Sequence, residues 1–257
     1  MSYAHTSHYT DGPWLLQGAR VADPPTGLWA RRDVLIVDNE VKTIAPEMKA
    51  HEEVQESGGL PQVIDASDLW IWPGLVDLHV HFREPGLVHK ETLATGGDAA
   101  LSGGYSCVVC EPNTDPPLAD VNILRKVAGK AWDDTPLRVF FKAAMTSGRN
   151  GKEPADIEAL ARLNTVVGVS DDGDPIVRFD VMEEVFRRSA AVGLPVCPHC
   201  EDSKRSREAQ QRGVDPGFPV GKYQENEARY IQRDAGVAAK WGVPAHFSHV
   251  SLEESLN

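Results

Sequence analysis

At 257 residues and 41% hydrophobic content, the chain is long enough for one barrel-sized domain or two smaller ones. Its formal net charge of −12 argues against nucleic acid or an anionic membrane surface as partner, since both need a basic patch. A metal cation or a polar small molecule remains compatible with that balance. The opening residues, MSYAHTSHYTDGPW, lack a charged-then-apolar leader, and no apolar run approaches the ~20 residues of a membrane span. No membrane association and a cytoplasmic location are therefore expected.

The first 70 residues read as a small β-rich segment. Short strand-like runs, WLLQGARV, DVLIVDNEV and VIDA, are punctuated by polar turns such as Asp38-Asn39. From residue 71 to 257 the rhythm changes to strands alternating with helices. The expected strands are Leu75–Val80, Ser106–Cys110, Val139–Ala144, Val166–Ser170, Pro195–Pro198 and Ala245–Ser248. The expected helices are Thr92–Leu101, Val121–Trp132, Ile157–Leu163, Val181–Val192 and Asn226–Trp241. The fourth helix places Val181, Val185 and Ala190 on one flank, with Glu183, Glu184, Arg187 and Arg188 elsewhere. Such alternation implies a parallel α/β sheet, and near-continuous apolar strands imply that both its faces are covered. An open doubly wound sheet and a (β/α)₈ barrel both fit this pattern.

The four cysteines fall as Cys107/Cys110 and Cys197/Cys200. A zinc ribbon separates its pairs by roughly 15–20 residues, far less than here, so buried core thiols are expected.

Unusual polar residues cluster where the strands end. The first strand of the second segment runs into Asp77-Leu78-His79-Val80-His81, and alternate residues share a face, so His79 and His81 point the same way. The fourth runs into Asp171-Asp172-Gly173, the fifth into His199 and the sixth into His249. A lone histidine or an Asp-Asp-Gly turn means little by itself. Imidazoles and carboxylates at the carboxyl ends of four strands converge in a barrel and form the ligand set of zinc or a similar divalent ion.

The stretch PGLVDLHVHFREPG, Pro73 to Gly86, resembles the signature of dihydroorotases within the amidohydrolase superfamily. The KET at Lys90–Thr92, EPNT at Glu111–Thr114, SDDG at Ser170–Gly173, PHCED at Pro198–Asp202 and HFSHVS at His246–Ser251 follow in that family's order and approximate spacing. One departure is Glu111, where the family usually has an apolar residue before Pro-Asn; it is expected to alter the pocket wall while leaving Asn113 in place.

The resemblance implies a (β/α)₈ TIM-type metal-dependent hydrolase barrel with a small N-terminal β-sandwich segment. His79 and His81 resemble ligands of the more buried zinc ion, and His199 and His249 those of a second. The fourth strand, TVVGVSDDG, has no bridging lysine, so the likeness is to bacterial members that use an aspartate there. Spacing back from His199 favours Asp172 over Asp171. Lys142, on the third strand, is read as a strand-end lysine reaching solvent. Arg83, two residues past His81, and Asn113 resemble the groups that hold the substrate's carboxylate, a role that the bidentate guanidinium fork suits. An ion pair of Arg83 with Glu84 or Asp98 is the alternative. Glu201 and Asp202 are read either as acceptors behind metal-bound imidazoles or as a solvated loop.

About six of eight barrel strands are visible, which reads as an incomplete barrel and a fragment of a longer protein, a poor catalyst by itself. The general acid/base aspartate of the family would lie beyond Asn257. The activity implied is interconversion of dihydroorotate and N-carbamoyl-L-aspartate in pyrimidine biosynthesis, with a possible homo-oligomer or aspartate transcarbamoylase association. Two other readings stand beside it: a hydantoinase, dihydropyrimidinase or allantoinase, and a non-catalytic structural subunit.

Overall fold

The computed structural model describes residues 12–53, 58–201 and 224–256. The chain divides into two compact units, Met1–Leu75 and Val76–Asn257. Among the described residues, no helix is long and apolar enough to cross a membrane.

The first unit is a five-stranded sheet. Its strands are β1 (Trp14–Asp23), β2 (Leu28–Val37), β3 (Glu40–Ala45), β4 (Gln62–Asp65) and β5 (Trp70–Ile71). The order is β3-β2-β1-β4, with β5 also on β1. The expected DVLIVDNEV run splits into two antiparallel strands at Asp38-Asn39, whose φ angles of 52° and 61° make the two-residue turn that suits a twisted hairpin. β2 also starts earlier than its apolar run, at Leu28, and β5 escaped the sequence reading because two residues carry no period. Leu15, Leu35 and Met48 pack in one small core, and Ala19, Val21 and Val34 in another. The buried Asp33 is satisfied by the main chain: Oδ1 accepts from Gly18 N (2.7 Å) and Oδ2 from Met48 N (2.8 Å).

The second unit is a parallel sheet in sequential order, β6 (Leu75–Val80), β7 (Tyr105–Cys110), β8 (Arg138–Ala144), β9 (Val166–Ser170) and β10 (Val196–Cys197). Between the strands lie α1 (Leu93–Ser102), α2 (Val121–Asp134), α3 (Ile157–Leu160) and α4 (Phe179–Val192), with α5 (Gln224–Trp241) after β10. β6 and β9 have the bounds their apolar runs suggest. Three expected elements shrink, the fifth strand among them, from Pro195–Pro198 to Val196–Cys197. The third helix is a single turn, capped by Asp156 onto Ala159 N (3.1 Å). The sixth strand reduces to a bridge between Ala245 and Val196, because Pro244 offers no N–H and His249 turns the chain with a φ of 44°.

The helices begin where local chemistry tells them to. Thr92 Oγ1 accepts from Thr95 N (3.0 Å) while Thr95 Oγ1 accepts from Thr92 N (3.1 Å), a reciprocal cap on α1. Asp120 caps α2 through Asn122 N and Ile123 N. Leu124, Val127 and Ala131 of α2, and Val181, Val185 and Phe186 of α4, turn inward onto Val108, Phe141 and Val169 of the sheet. Gly96 of α1 lets the buried Phe82 ring lie against the helix; a Cβ there would sit 2.3 Å from a ring carbon. All four cysteines are free thiols, three of them buried and Cys107 half-buried. Burial pushes the Cys110 and Cys197 thiols up, the latter to about 11, which makes them poor nucleophiles.

Candidate metal centre

Every polar residue singled out at a strand end lies at the carboxyl end of the parallel sheet. His79 and His81 come from β6, Asn113 from the loop after β7, and Asp172 from the turn after β9. His199 follows β10 and His249 the Ala245 bridge. The loops carrying Arg83 and Asn113 are tied by Asp115 N donating to Pro85 O (3.1 Å). Gly86, with a φ of 87°, permits that approach, since a Cβ would lie 1.9 Å from Asp115 O.

Asp172 stands at the centre. Its Oδ1 lies 3.6 Å from His79 Nε2, 3.2 Å from His199 Nδ1 and 3.5 Å from His249 Nε2, and its Oδ2 lies 3.6 Å from His81 Nε2. Two triads share this carboxylate: His79, His81 and Asp172, and Asp172, His199 and His249. Within each, the donor atoms lie within 4.8 Å of one another, close enough to coordinate one ion. Asp171 is turned away. Its Oδ1 accepts from Met145 N (2.8 Å) and Thr146 N (3.3 Å), its Oδ2 accepts from the Thr146 hydroxyl, and burial raises its carboxyl to about 7 against those donors.

Two of the imidazoles have their far nitrogen hydrogen-bonded, and a third, His79, has a carboxylate oxygen beside it that is out of line with the ring N–H. Asn113 Oδ1 lies 3.0 Å from His81 Nδ1, and Asn113 Nδ2 donates to Asp172 Oδ2 (3.1 Å). Glu201 Oε2 lies 2.9 Å from His199 Nε2. Glu111 Oε1 lies 3.0 Å from His79 Nδ1. Holding the far nitrogen fixes the tautomer and turns the other lone pair inward. His199 Nδ1, buried and facing Asp172, has no hydrogen-bond partner among the described residues, which fits a nitrogen shaped for a cation.

The electrostatics agree with a site built for positive charge. Burial works against ionised Asp172, yet the imidazoles of His199, His249 and His79 around it outweigh that and hold the carboxyl far below its usual range. Burial likewise disfavours the His199 imidazolium, but Asp172 and Glu201 overcome it and raise the group to about 9. Burial lowers His81 despite its contact with Asn113. A divalent ion would displace the proton that His199 otherwise carries.

Two expectations change. Lys142 does not reach solvent: its side chain is 4% exposed and pairs with Oε1 of the fully buried Glu111 carboxylate, whose Oε2 has no hydrogen-bond partner among the described residues. Glu111 is not a bare alteration of the pocket wall, since the same Oε1 faces His79. Arg83 donates through Nη1 to Asn113 O (3.1 Å), while Glu84 lies 3.4 Å from Lys130. Of the two acidic residues after His199, Glu201 touches the cluster and Asp202 lies outside the described residues. Sequence reasoning missed Glu227 of α5. Its carboxylate accepts from Ser251 N (3.0 Å), Ser251 Oγ (2.6 Å), Leu252 N (3.1 Å) and Ser255 Oγ (2.7 Å), so it grips the loop that follows His249.

Comparison with known proteins agrees with this geometry. The chain is 34% identical over 250 residues to a dihydroorotase from a Sulfurihydrogenibium species, covering 94% of this chain and 56% of that protein. It is 31% identical to the dihydroorotase of Aquifex aeolicus and 35% identical to that of Streptococcus pyogenes, again over 94% of this chain and 56% of each relative. The chain thus spans about half the length of the curated relatives it matches. The fold is also that of L-hydantoinase (dihydropyrimidinase) from Arthrobacter aurescens, with a TM-score of 0.72 at 19% identity over 93% of this chain and 53% of that one. Dihydropyrimidinase from Brevibacillus agri gives a TM-score of 0.73 at 18% identity, over 95% of this chain and 53% of that one. A family model described as dihydro-orotase-like matches residues 69–255, the stretch that supplies every residue of the Asp172 cluster, and the chain belongs to that family.

Proposed function

We propose that this chain carries the metal-binding part of a zinc-dependent dihydroorotase, which interconverts dihydroorotate and N-carbamoyl-L-aspartate. The observation that carries the reading is the convergence of four imidazoles on one carboxylate, Asp172, at one end of a parallel sheet. Imidazole with carboxylate is a donor set that suits zinc. His79 and His81 would hold one ion, His199 and His249 the other, and Asp172 both.

When bound, such ions supply hydroxide near neutral pH and a Lewis acid for the amide carbonyl. The chain's own residues then bind and orient. Arg83 stands two residues past His81 with a planar fork for the carboxylate common to both reactants. One of its N–H groups goes to Asn113 O, which braces the guanidinium. The Asn113 amide steadies His81 and Asp172, and beside Arg83 it would also face the substrate's carboxylate. Glu201 keeps the proton of His199 on Nε2, so that Nδ1 presents its lone pair beside Asp172.

The reading is tested with the full-length protein, assayed for zinc content and for turnover of dihydroorotate and of hydantoin. Stoichiometric zinc with dihydroorotate turnover is expected. Turnover of hydantoin alone would reject the substrate, and absence of zinc would reject the centre.

A further inference from the structure

A second polar cluster lies behind the first. Glu111 follows the last residue of β7, and its N–H donates to Val80 O (2.9 Å), which ties it between the ends of β6 and β7. Lys142 lies one strand further on. Cys110 is registered with Phe141, so the next residue on each strand, Glu111 and Lys142, falls at the same height. On the neighbouring β9, Gly168 is registered with Lys142, and a Cβ there would make ordinary van der Waals contact with the lysine stem, 3.9 Å from its Cγ.

The carboxylate and the ammonium are both withdrawn from water, with side-chain exposures of 0% and 4%. Burying such a pair is poor value for stability, because desolvation offsets the attraction. Its placement explains it better. Glu111 Oε1 is shared between Lys142 Nζ and His79 Nδ1, and His79 turns its opposite nitrogen to Asp172. The approach to His79 is oblique to the ring N–H, so Glu111 acts by placing an electron-rich oxygen 3.0 Å from Nδ1, which an amide oxygen would do in large part. Neutral hydrophobic residues at these two positions would fill the same space without touching the tautomer of His79.

We propose that Glu111 is a positioning residue for the metal centre. Lys142 fixes its carboxylate, and the carboxylate selects the Nδ1–H tautomer of His79, leaving Nε2 to the cation beside Asp172. The inference rests on the metal-centre reading above and is independent of which cyclic amide is the substrate. Loss of a partner behind a metal-bound histidine typically weakens metal affinity about 10–100-fold.

The experiment uses the full chain loaded with zinc and follows metal release to a chromophoric chelator. Melting of the metal-free protein serves as the control for folding. Glu111→Met with Lys142→Met removes both charges together, so neither is left buried alone. This variant should melt within a few degrees of the parent and release zinc about 10–100-fold faster. Glu111→Gln with Lys142→Met restores an acceptor for Nδ1–H and should recover a large part of that loss. Should the methionine pair not fold, Glu111→Asn with Lys142→Met takes its place, since its amide is one methylene short of His79 and should release zinc faster than the glutamine form. The proposal is overturned if the methionine pair holds zinc as the parent does. It is equally overturned if the glutamine form is no better than the methionine or asparagine form. A parent protein that takes up no zinc removes the metal centre and this role with it.

Discussion

The loop that carries His249 offers a direct test of how the site is held. Glu227→Ala removes the only acceptor that the described residues give to Ser251 N and Leu252 N, together with the partner of two hydroxyls. Two of these bonds face solvent and two are half-buried; at about 0.5 kcal/mol each, the low end of net hydrogen-bond worth, four donors come to about 2 kcal/mol of local stability. That corresponds to a roughly 30-fold rise in the opening equilibrium of this segment. Hydrogen exchange at Ser251 and Leu252 should accelerate by that factor, while amides of β8 and β9 change little. The pH dependence follows from the same contacts. Burial works to raise Glu227, but the Ser251 and Ser255 donors outweigh it, so its folded carboxyl lies below its ordinary value of 4.5. A lowered value means that the stabilisation is complete above pH 4.5 and is lost as pH falls through the folded value. Unchanged protection in Glu227→Ala, or protection that persists fully at the acid limit, would refute the account.

Other expectations are briefer. Asp172→Asn should reduce zinc per chain, measured by mass spectrometry, to near zero, whereas Asp171→Asn should keep it, since Asp171 faces Met145 and Thr146. Gly96→Ala places a methyl 2.3 Å from the Phe82 ring and should cost about 1–3 kcal/mol, seen as a lowered melting temperature; an unchanged one would mean that α1 and Phe82 are not so apposed. Glu184 is held down to about 2, chiefly by its hydrogen bonds to Arg187, yet the pair is exposed. Glu184→Gln should therefore cost only about 0.2–1 kcal/mol in urea titrations at pH 7. Because the folded value is lowered, that difference should shrink from pH 4.5 towards pH 2, and a large loss that survives at pH 2 would contradict it.

The sequence carried the sheet and the ring of imidazoles because both follow from local rules. Apolar runs such as Leu75–Val80 and Val166–Ser170 announce strands, and polar residues just past them must emerge at one end of a parallel sheet. What stayed hidden depends on neighbours remote in the chain. Lys142 looked like a lysine bound for solvent until Glu111, 31 residues away, came beside it. A signal did exist: two charges interrupt adjacent apolar strands at matching heights, and a register argument would have paired them. Glu227 gave no comparable sign, since a glutamate near the start of an amphipathic helix is ordinary until the chain folds back upon it. The sixth strand failed for a backbone reason, with Pro244 and the left-handed His249 interrupting a run that composition alone favours.

Asp172 belongs to both triads, whereas each imidazole belongs to one. The two halves of the centre are thus unequal in what they can tolerate. A lineage that lost His199 or His249 would still keep three donors for a single cation, and one that lost His81 would keep those of the other. Replacement of Asp172 dismantles both positions in one step. Among these five residues, loss of any one histidine leaves a complete triad, whereas loss of the shared aspartate leaves none.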